Sequence, residues 1–253
     1  MAAFSEPGYT MFYSRFFTPI LAGATLRDRL IACVGGIAGI SLTSLISWIF
    51  LPDSLALLFL VAPMGASAVL VFAVPASPLA QPWPVIGGNT LSALIGVACA
   101  QVIAIPHVAA GLAVGLAILG MSLTRSLHPP GGAAALTAVI GGQQVAAAGF
   151  EFAFLPVALN AVCLVIVGIV FHRGSGHSYP HKPQPVAGHF LLERDLVPPH
   201  AQDIVAALAD LGETFDIGED DLELIVRRVD YHAARRRKAG NQKTGHATSA
   251  VKM

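Results

Sequence analysis

The chain has 253 residues, of which 55% are hydrophobic and 12% are charged, and its mean hydropathy is +0.67. A soluble fold of this composition would leave large apolar surfaces in water, which excludes an ordinary soluble enzyme domain. The charges of fifteen basic and fifteen acidic side chains cancel. Between residues 30 and 171, however, the charged residues are only Asp53, Arg125 and Glu151. The other charges belong to two polar tails. A nucleic-acid-binding surface is also excluded, because it needs a positive stripe and this central block holds a single Arg and no Lys.

The cysteines and the clustered histidines do not form a recognisable metal site. Cys33, Cys99 and Cys163 each lie inside an apolar run and are too far apart for a metal knuckle. The histidines between residues 174 and 189 lack a cysteine or carboxylate partner and the spacing of a tetrahedral site. We therefore expect no metal and no cofactor, and cysteines that stay reduced.

The first 29 residues are predicted to form an N-terminal cytoplasmic or interfacial segment. Within residues 9–22, Phe12, Phe16 and Ile20 recur at helical spacing. This pattern is typical of a short helix that lies in the lipid headgroup zone. An unstructured apolar leader is the alternative interpretation of the same residues.

Residues 30–171 are predicted to form a transmembrane domain, because about 20 apolar residues in a helix span the hydrocarbon core. Five runs meet or approach that length: Leu30–Phe50, Leu55–Val74, Gly87–Ile105, Val108–Ser126 and Phe152–Phe171. Between the last two, the apolar stretch Ala133–Ile140 is too short to cross alone, and we interpret it as a half-helix dipping into the bilayer. The predicted fold class is all-α: a polytopic bundle of five to six membrane segments, with a re-entrant or broken helix at His128–Gly132, and a small cytoplasmic helical hairpin.

The distribution of basic residues predicts the topology, because Lys and Arg accumulate on the cytoplasmic side of membrane proteins. Arg27 and Arg29 precede the first run, Arg173 and Lys182 follow the last, and the short loops between the runs contain neither residue type. We therefore expect both termini in the cytoplasm and the protein in the bacterial cytoplasmic (inner) membrane. An even number of crossings follows, so either the half-helix completes a sixth crossing or one of the five runs does not cross. We favour six.

A short internal repeat supports this arrangement. Residues 63–69 and 130–136 are identical at four of seven positions. If each half contributes three segments, the second half is inserted upside down relative to the first, a plan common in transporters. Chance similarity is the alternative, because alanine and glycine are frequent throughout the chain.

The double proline Pro129–Pro130 is predicted to end one helix and to begin another. A helix that begins there has unpaired N–H groups and a partial positive charge at its first turn, which favours an anion. An Arg guanidinium and a His ring just before the prolines add hydrogen-bond donors for a small oxyanion. The predicted site residues at this break are Arg125, His128, Gly131, Gly132 and Ala133. The alternative is an arginine that reaches lipid phosphates and a tight connection without a ligand.

A second break is predicted earlier in the chain. Pro63 and Gly65 precede Ala66, where another half-helix could begin and contribute to substrate binding, although a plain kink is the alternative. We expect a substrate to pass between this break and the one at Pro130.

Three separated motifs in these regions resemble the HPP family of integral membrane proteins. They are Thr124–Ala133, which contains the sequence His-Pro-Pro, Ala62–Ala68, and Ser77–Pro82 before Ile86-Gly87-Gly88. The resemblance covers roughly residues 20 to 172. It implies a membrane protein, and plastid and cyanobacterial relatives are regarded as nitrite transporters, whereas most bacterial members have no assigned substrate.

The C-terminal part is predicted to be cytoplasmic. Residues 172–192 form a linker rich in Gly, Pro and His, residues 193–238 form a helical hairpin, and residues 239–253 are disordered. The apolar positions that define the two hairpin helices are Ile204, Ala207, Leu208, Leu211, Leu222, Ile225, Val226 and Val229. So small a hairpin cannot bury a core alone. We expect a homodimer through these helices, with contact between the basic cluster and anionic lipid as the alternative. In longer bacterial relatives a similar hairpin precedes CBS domains, which we do not expect here.

The leading functional hypothesis is an integral membrane transporter or channel for a small inorganic anion, with nitrite implied by the resemblance. The alternative is a non-transporting dimeric scaffold or sensor that acts through its cytoplasmic tail. We do not expect an enzyme, because His128 with Ser122, Thr124 and Ser126 offers only part of a nucleophile and base pair. The expected partners are the lipid bilayer, the anion and a second copy of the chain, without nucleic acid.

The topology gives a first testable prediction. Reporter domains fused at Phe4 and after Lys182 should both report a cytoplasmic location, because both tails carry the basic residues that the short loops lack. Reporters on opposite sides of the membrane would exclude six crossings and the inverted repeat.

Overall fold

The computed structural model describes residues 26–51, 59–182, 202–204, 206–207 and 217–250, and within these ranges the chain forms helices and no strand. Four helices are long and apolar enough to cross a membrane: α1 (Leu26–Phe50), α3 (Pro84–Val102), α4 (Pro106–Leu123) and α7 (Ala153–Ser175). Two shorter apolar helices are α2 (Pro63–Ala73) and α5 (Pro129–Ile140). The other described elements include a 3₁₀ turn (Pro78–Ala80), a short α6 (Gln143–Ala148) and a C-terminal α8 (Glu219–Ala250). The prediction of an all-α membrane bundle is confirmed.

Proline determines where several of these helices begin. A proline stands in the first turn of four helices: Pro63 in α2, Pro84 in α3, Pro106 in α4 and Pro129 in α5. At this position the missing N–H group would have no intrahelical partner, and the fixed φ of proline suits the helix. The half-helix predicted over 133–140 is therefore present and begins earlier, at Pro129.

The structure corrects two other predictions. The run Leu55–Val74 does not form one long helix, because the helix begins only at Pro63 and residues 59–62 are not helical. The C-terminal helix does not stop near Lys238 but continues to Ala250, through most of the segment predicted to be disordered. The predicted interfacial helix at residues 9–22 and most of the first hairpin helix lie outside the described residues.

The helix contacts follow the predicted internal repeat. Helix α1 packs on α2 and α7, and α4 packs in the same way on α5 and α3. Helix α2 also contacts α7, and α5 correspondingly contacts α3. Two further contacts join α2 to α5 and α3 to α7. Exchanging α1 with α4, α2 with α5 and α3 with α7 reproduces the same set of contacts. The two short helices therefore occupy equivalent positions in two halves of three segments each.

One end of the bundle, here called the proximal end, holds the start of α1 and the end of α7. His177, just after α7, lies 3.6 Å from the carboxylate of Asp28 in the first turn of α1. The connection after α2 reaches the same end, because the Tyr179 hydroxyl donates to the carbonyl of Ala80 at 2.9 Å. Helix α4 ends at the proximal end, where the Thr124 carbonyl accepts from Trp83 Nε1 at 3.1 Å, whereas α1 begins there, so the first helices of the two halves run in opposite directions.

Small residues allow the half-helix α5 to approach α3 closely. A Cβ atom at Gly131 would lie 2.7 Å from Ser92 Oγ, 2.8 Å from Met121 Sδ and 3.0 Å from the Gly88 carbonyl. The next glycine along the helix, Gly132, has open space, with its nearest neighbour at 3.9 Å. Backbone contact at the first turn of α5 thus depends on Gly131 and not on Gly132.

This difference gives a matched pair of variants. Gly131→Ala should lower the free energy of unfolding by about 1–3 kcal/mol, because the added methyl group overpacks a rigid contact. Gly132→Ala adds the same group to open space and should change stability by less than about 1 kcal/mol. Thermal unfolding of the detergent-solubilised protein measures both, and equal shifts for the two variants would contradict this account of the packing.

Candidate functional site

The interior of this apolar bundle contains several buried polar side chains. Those that are buried among the described residues include Thr43, Ser47, Ser67, Asn89, Ser92, Ser126, His128, Asn160 and His172. Polar groups inside membrane segments are costly and are by default candidates for function. Two groups of them lie at the two helix breaks, and we call them the His128 cluster (His128, Ser67 and Asn89) and the Asn160 cluster (Asn160 and Ser47).

His128 immediately precedes α5 and uses both ring nitrogens inside the protein. Nδ1 lies 2.8 Å from the carbonyl oxygen of Leu79, in the connection after α2. Because a carbonyl oxygen only accepts, Nδ1 carries a hydrogen and donates it. Nε2 lies 2.8 Å from the hydroxyl oxygen of Ser67 on α2. The ring therefore joins the start of one half-helix to the body of the other.

Ser67 is the centre of the His128 cluster. Its hydroxyl oxygen also lies 3.2 Å from the Pro63 carbonyl and accepts a hydrogen bond of 3.2 Å from Asn89 Nδ2 on α3. The second Asn89 N–H group donates to the carbonyl of Val85 at 2.8 Å. The cluster thus ties α2, α3 and α5 together through side chains with no exposed surface.

Two buried polar atoms beside this cluster have no hydrogen-bond partner among the described residues. They are Asn89 Oδ1 and, one turn further along α3, Ser92 Oγ. An unpaired buried polar atom costs about 1–3 kcal/mol, so such atoms often mark places where a water or ligand binds. Ser92 Oγ adjoins Gly131, and the Asn89 side chain contacts Ser67, the partner of His128, so both residues lie near the start of α5.

The Asn160 cluster stabilises the non-helical segment before α2. Asn160 Oδ1 accepts the N–H group of Val61 at 2.9 Å, and Nδ2 donates to the carbonyl of Phe59 at 3.1 Å. Nδ2 also donates to Ser47 Oγ on α1 at 2.7 Å. An asparagine on α7 therefore replaces the backbone partners that the chain lacks where it is not helical.

The structure brings some of the predicted site residues together and separates others. His128, Gly131 and Pro63 are buried at the crossing of the half-helices, and Gly132 is half-buried. Gly65, Ala66 and Ala133 lie on exposed faces of α2 and α5. The side chain of Arg125 is exposed as well, so it does not enter the His128 cluster.

Arg125 has an unusual backbone conformation, which the sequence alone does not reveal. Its φ is 54°, in the left-handed region that favours glycine. It terminates α4 in a Schellman arrangement, in which Ser126 N–H donates to the Met121 carbonyl at 2.8 Å and Arg125 N–H is 3.4 Å from the Ser122 carbonyl. Glycine is the usual residue at this position.

The start of α5 offers fewer free donors than an ordinary helix N-terminus. Pro129 and Pro130 have no N–H group, and the N–H group of Gly131 donates to the His128 carbonyl at 2.8 Å. The helix dipole still places a partial positive charge at this end. An anion would therefore rely more on side chains, such as that of Ser92, than the sequence predicts.

Sequence reasoning missed Ser67, Asn89 and Asn160. The available signal was a lone polar residue within an apolar run, which in a membrane segment indicates either function or a backbone break. The partners could not be identified in advance, because His128 and Ser67 are 61 positions apart and Asn160 and Val61 are 99 apart.

Comparison with known proteins agrees with this membrane fold. The family described as "HPP, transmembrane region" matches residues 21–180. Two transmembrane proteins of Dictyostelium discoideum are 43% identical over 120 residues and 44% identical over 126 residues, which cover 46% and 48% of this chain. The matched segments cover 38% and 44% of those proteins, so the chain spans less than half the length of either relative. No solved structure matches. The chain belongs to the HPP transmembrane region family.

Proposed function

We propose that this protein is a transporter or channel that moves a small inorganic anion, such as nitrite, across the membrane. The path runs between the two half-helices α2 and α5. The observation that carries this proposal is their crossing inside the bundle, where His128 at the start of α5 contacts Ser67 in the second turn of α2. Inverted repeats whose broken helices meet at the membrane midplane are a common transporter plan.

Electrostatics favour a negatively charged substrate at this crossing. Both half-helices begin inside the bundle, at Pro63 and Pro129, so both present the positive ends of their dipoles there. No buried acidic side chain opposes an anion among the described residues of the bundle. The unpaired hydroxyl of Ser92 can donate to an oxyanion, as a hydroxyl is both donor and acceptor.

Arg125 supplies the charge at the entrance to this path. It lies at the proximal end, because the carbonyl of the neighbouring Thr124 accepts from Trp83 Nε1 at 3.1 Å just after the connection that follows α2, and its side chain is exposed. A left-handed conformation costs a non-glycine residue about 1–2 kcal/mol, which indicates a role for the guanidinium beyond ending α4. An exposed cation at the mouth of a path raises the local concentration of anions.

The proximal end faces the cytoplasm in this proposal. Arg27, Arg29 and Arg173 all lie at that end, in the first turns of α1 and the last turn of α7. The positive-inside tendency supports a cytoplasmic location for both tails. The membrane in this proposal is a bacterial inner membrane.

The exposed apolar side chains of α8 support a second candidate function. Ile225 and Val229 are 49% and 61% exposed and lie one helical turn apart. Two copies of the chain could bury these faces against each other, which would make the tail a dimeric scaffold or sensor. A membrane protein that oligomerises through α8 but moves no anion would favour this function.

Variants of Arg125 test the proposed transport function in proteoliposomes. Arg125→Gly should fold at least as stably as the wild type, because glycine adopts φ 54° without strain. It should weaken the apparent affinity for nitrite by about tenfold or more, as expected when about 1.5 kcal/mol of charge-assisted hydrogen bonding is lost. Arg125→Lys should recover part of the affinity, because lysine keeps the charge without the planar donor pair.

The matched control is Arg173→Gln, which removes another exposed arginine at the proximal end. This control should transport nitrite as the wild type does. Unchanged nitrite influx by folded Arg125→Gly protein would contradict a role for Arg125, and no influx of nitrite, nitrate, formate or chloride by the wild type would contradict anion transport.

A further inference from the structure

We propose that His128 is a proton-binding site in the membrane interior and that the anion crosses together with one proton. This inference rests on the proposed anion transport. It comes from three observations: the absence of a buried fixed charge among the described residues, the hydrogen-bond geometry of the His128 cluster, and the unpaired polar atoms beside it.

The first observation concerns charge compensation. Among the described residues of the bundle, none of the buried polar side chains is an Asp, Glu, Lys or Arg. Arg125, the nearest fixed charge along the chain, is exposed. An uncompensated ion in an apolar interior costs several kcal/mol, and the partial charges at helix ends offset only part of that cost. A proton carried with the anion removes the net charge, and His128 is a titratable group at the crossing of the half-helices.

The second observation is that the His128 cluster can satisfy two protonation states without moving a heavy atom. In the neutral ring, Nδ1 donates to the Leu79 carbonyl, and Nε2 accepts the hydroxyl hydrogen of Ser67. In the protonated ring, Nε2 donates to Ser67 Oγ instead, and the Ser67 hydroxyl turns to the Pro63 carbonyl at 3.2 Å. Asn89 Nδ2 donates to Ser67 Oγ in both states. Ser67 then makes one donated and two accepted hydrogen bonds, which is the full capacity of a hydroxyl group.

No charged side chain faces this ring from the described elements that pack around it. Ser67 comes from α2, the Leu79 carbonyl from the connection after α2, and Asn89 from α3 through Ser67. The carbonyl of Ser126 and the sulfur of Met121 approach Gly88 beside the ring and are also neutral. A negative charge at the start of α5 is therefore the strongest partner available to a protonated His128.

The third observation explains the coupling between the anion and the proton. The unpaired Ser92 hydroxyl can donate to an anion oxygen, and the unpaired Asn89 Oδ1 can accept a hydrogen from a protonated acid. The anion and the proton attract each other at this position, so binding of either favours binding of the other by the same factor. In one transport cycle His128 gains one proton at Nε2 from the side where the anion enters and releases it on the other side. The anion keeps its bonds and its oxidation state.

The test uses the full-length protein in liposomes with nitrite as the probe, and compares initial influx with that into protein-free liposomes. A pH gradient with an alkaline interior should drive influx above the protein-free rate, and an imposed potassium diffusion potential should not change it. One proton for each anion predicts about tenfold accumulation for each unit of pH difference. Influx that follows the potential and ignores the pH gradient would overturn proton coupling while leaving anion transport in place. The absence of any influx above the protein-free rate would overturn both proposals.

Two histidine variants assign the proton to a residue. His128→Gln keeps a polar side chain that cannot bind a proton, and the influx driven by the pH gradient should fall to the protein-free rate. His172→Gln is the matched control, because His172 is also buried and hydrogen-bonded, to the Val71 carbonyl and Ser175 Oγ at 2.9 Å each. The control should keep the coupling. Folded His128→Gln protein that retains normal coupling would overturn the assignment. If this variant does not fold, the driving-force comparison on the wild type still decides whether the anion crosses with a proton.

Discussion

Backbone polar groups inside a bilayer have no water to bind, and the chain is not helical just before either of its two short helices, α2 and α5. The segment before α2 is stabilised by Asn160 of α7, which accepts from and donates to the backbone of Val61 and Phe59. The start of α5 is stabilised by His128, whose ring reaches the Leu79 carbonyl and Ser67. Each break thus depends on a polar contact with a distant part of the chain, and the position of the half-helices depends on these contacts.

The connection after α2 links the interior of the bundle to the C-terminal helix α8. The turn Pro78–Ala80 carries the Leu79 carbonyl that accepts from His128, and the adjacent Gln81 side chain accepts from the backbone of His181 at 2.9 Å. The His181 ring lies 3.0 Å from both carboxylate oxygens of Asp221 in the first turn of α8. These hydrogen bonds, together with the backbone between Leu79 and Gln81, connect the start of α8 to the half-helix crossing.

Sequence alone predicted the parts of this fold that depend on local chemistry. Length and apolar composition identified α1, α4 and α7, and the double proline at Pro129 identified the start of α5. The run Leu55–Val74 was wrongly assigned as one helix, because apolar composition does not distinguish a helix from an irregular segment that an asparagine 99 positions away stabilises. The sequence also did not predict the left-handed backbone of Arg125 or the contact between Ser67 and His128, because both result from tertiary packing.

The protonation state of His128 in lipid tests the central claim most directly. Solid-state nuclear magnetic resonance of ¹⁵N-histidine-labelled protein, with the His128→Gln variant to assign the signal among the nine histidines, reports which ring nitrogen carries hydrogen. The account predicts a neutral ring with hydrogen on Nδ1 and an accepting Nε2, which becomes doubly protonated when nitrite is added at mildly acidic pH. A ring with hydrogen on Nε2 alone, or one whose protonation does not respond to nitrite, would contradict it.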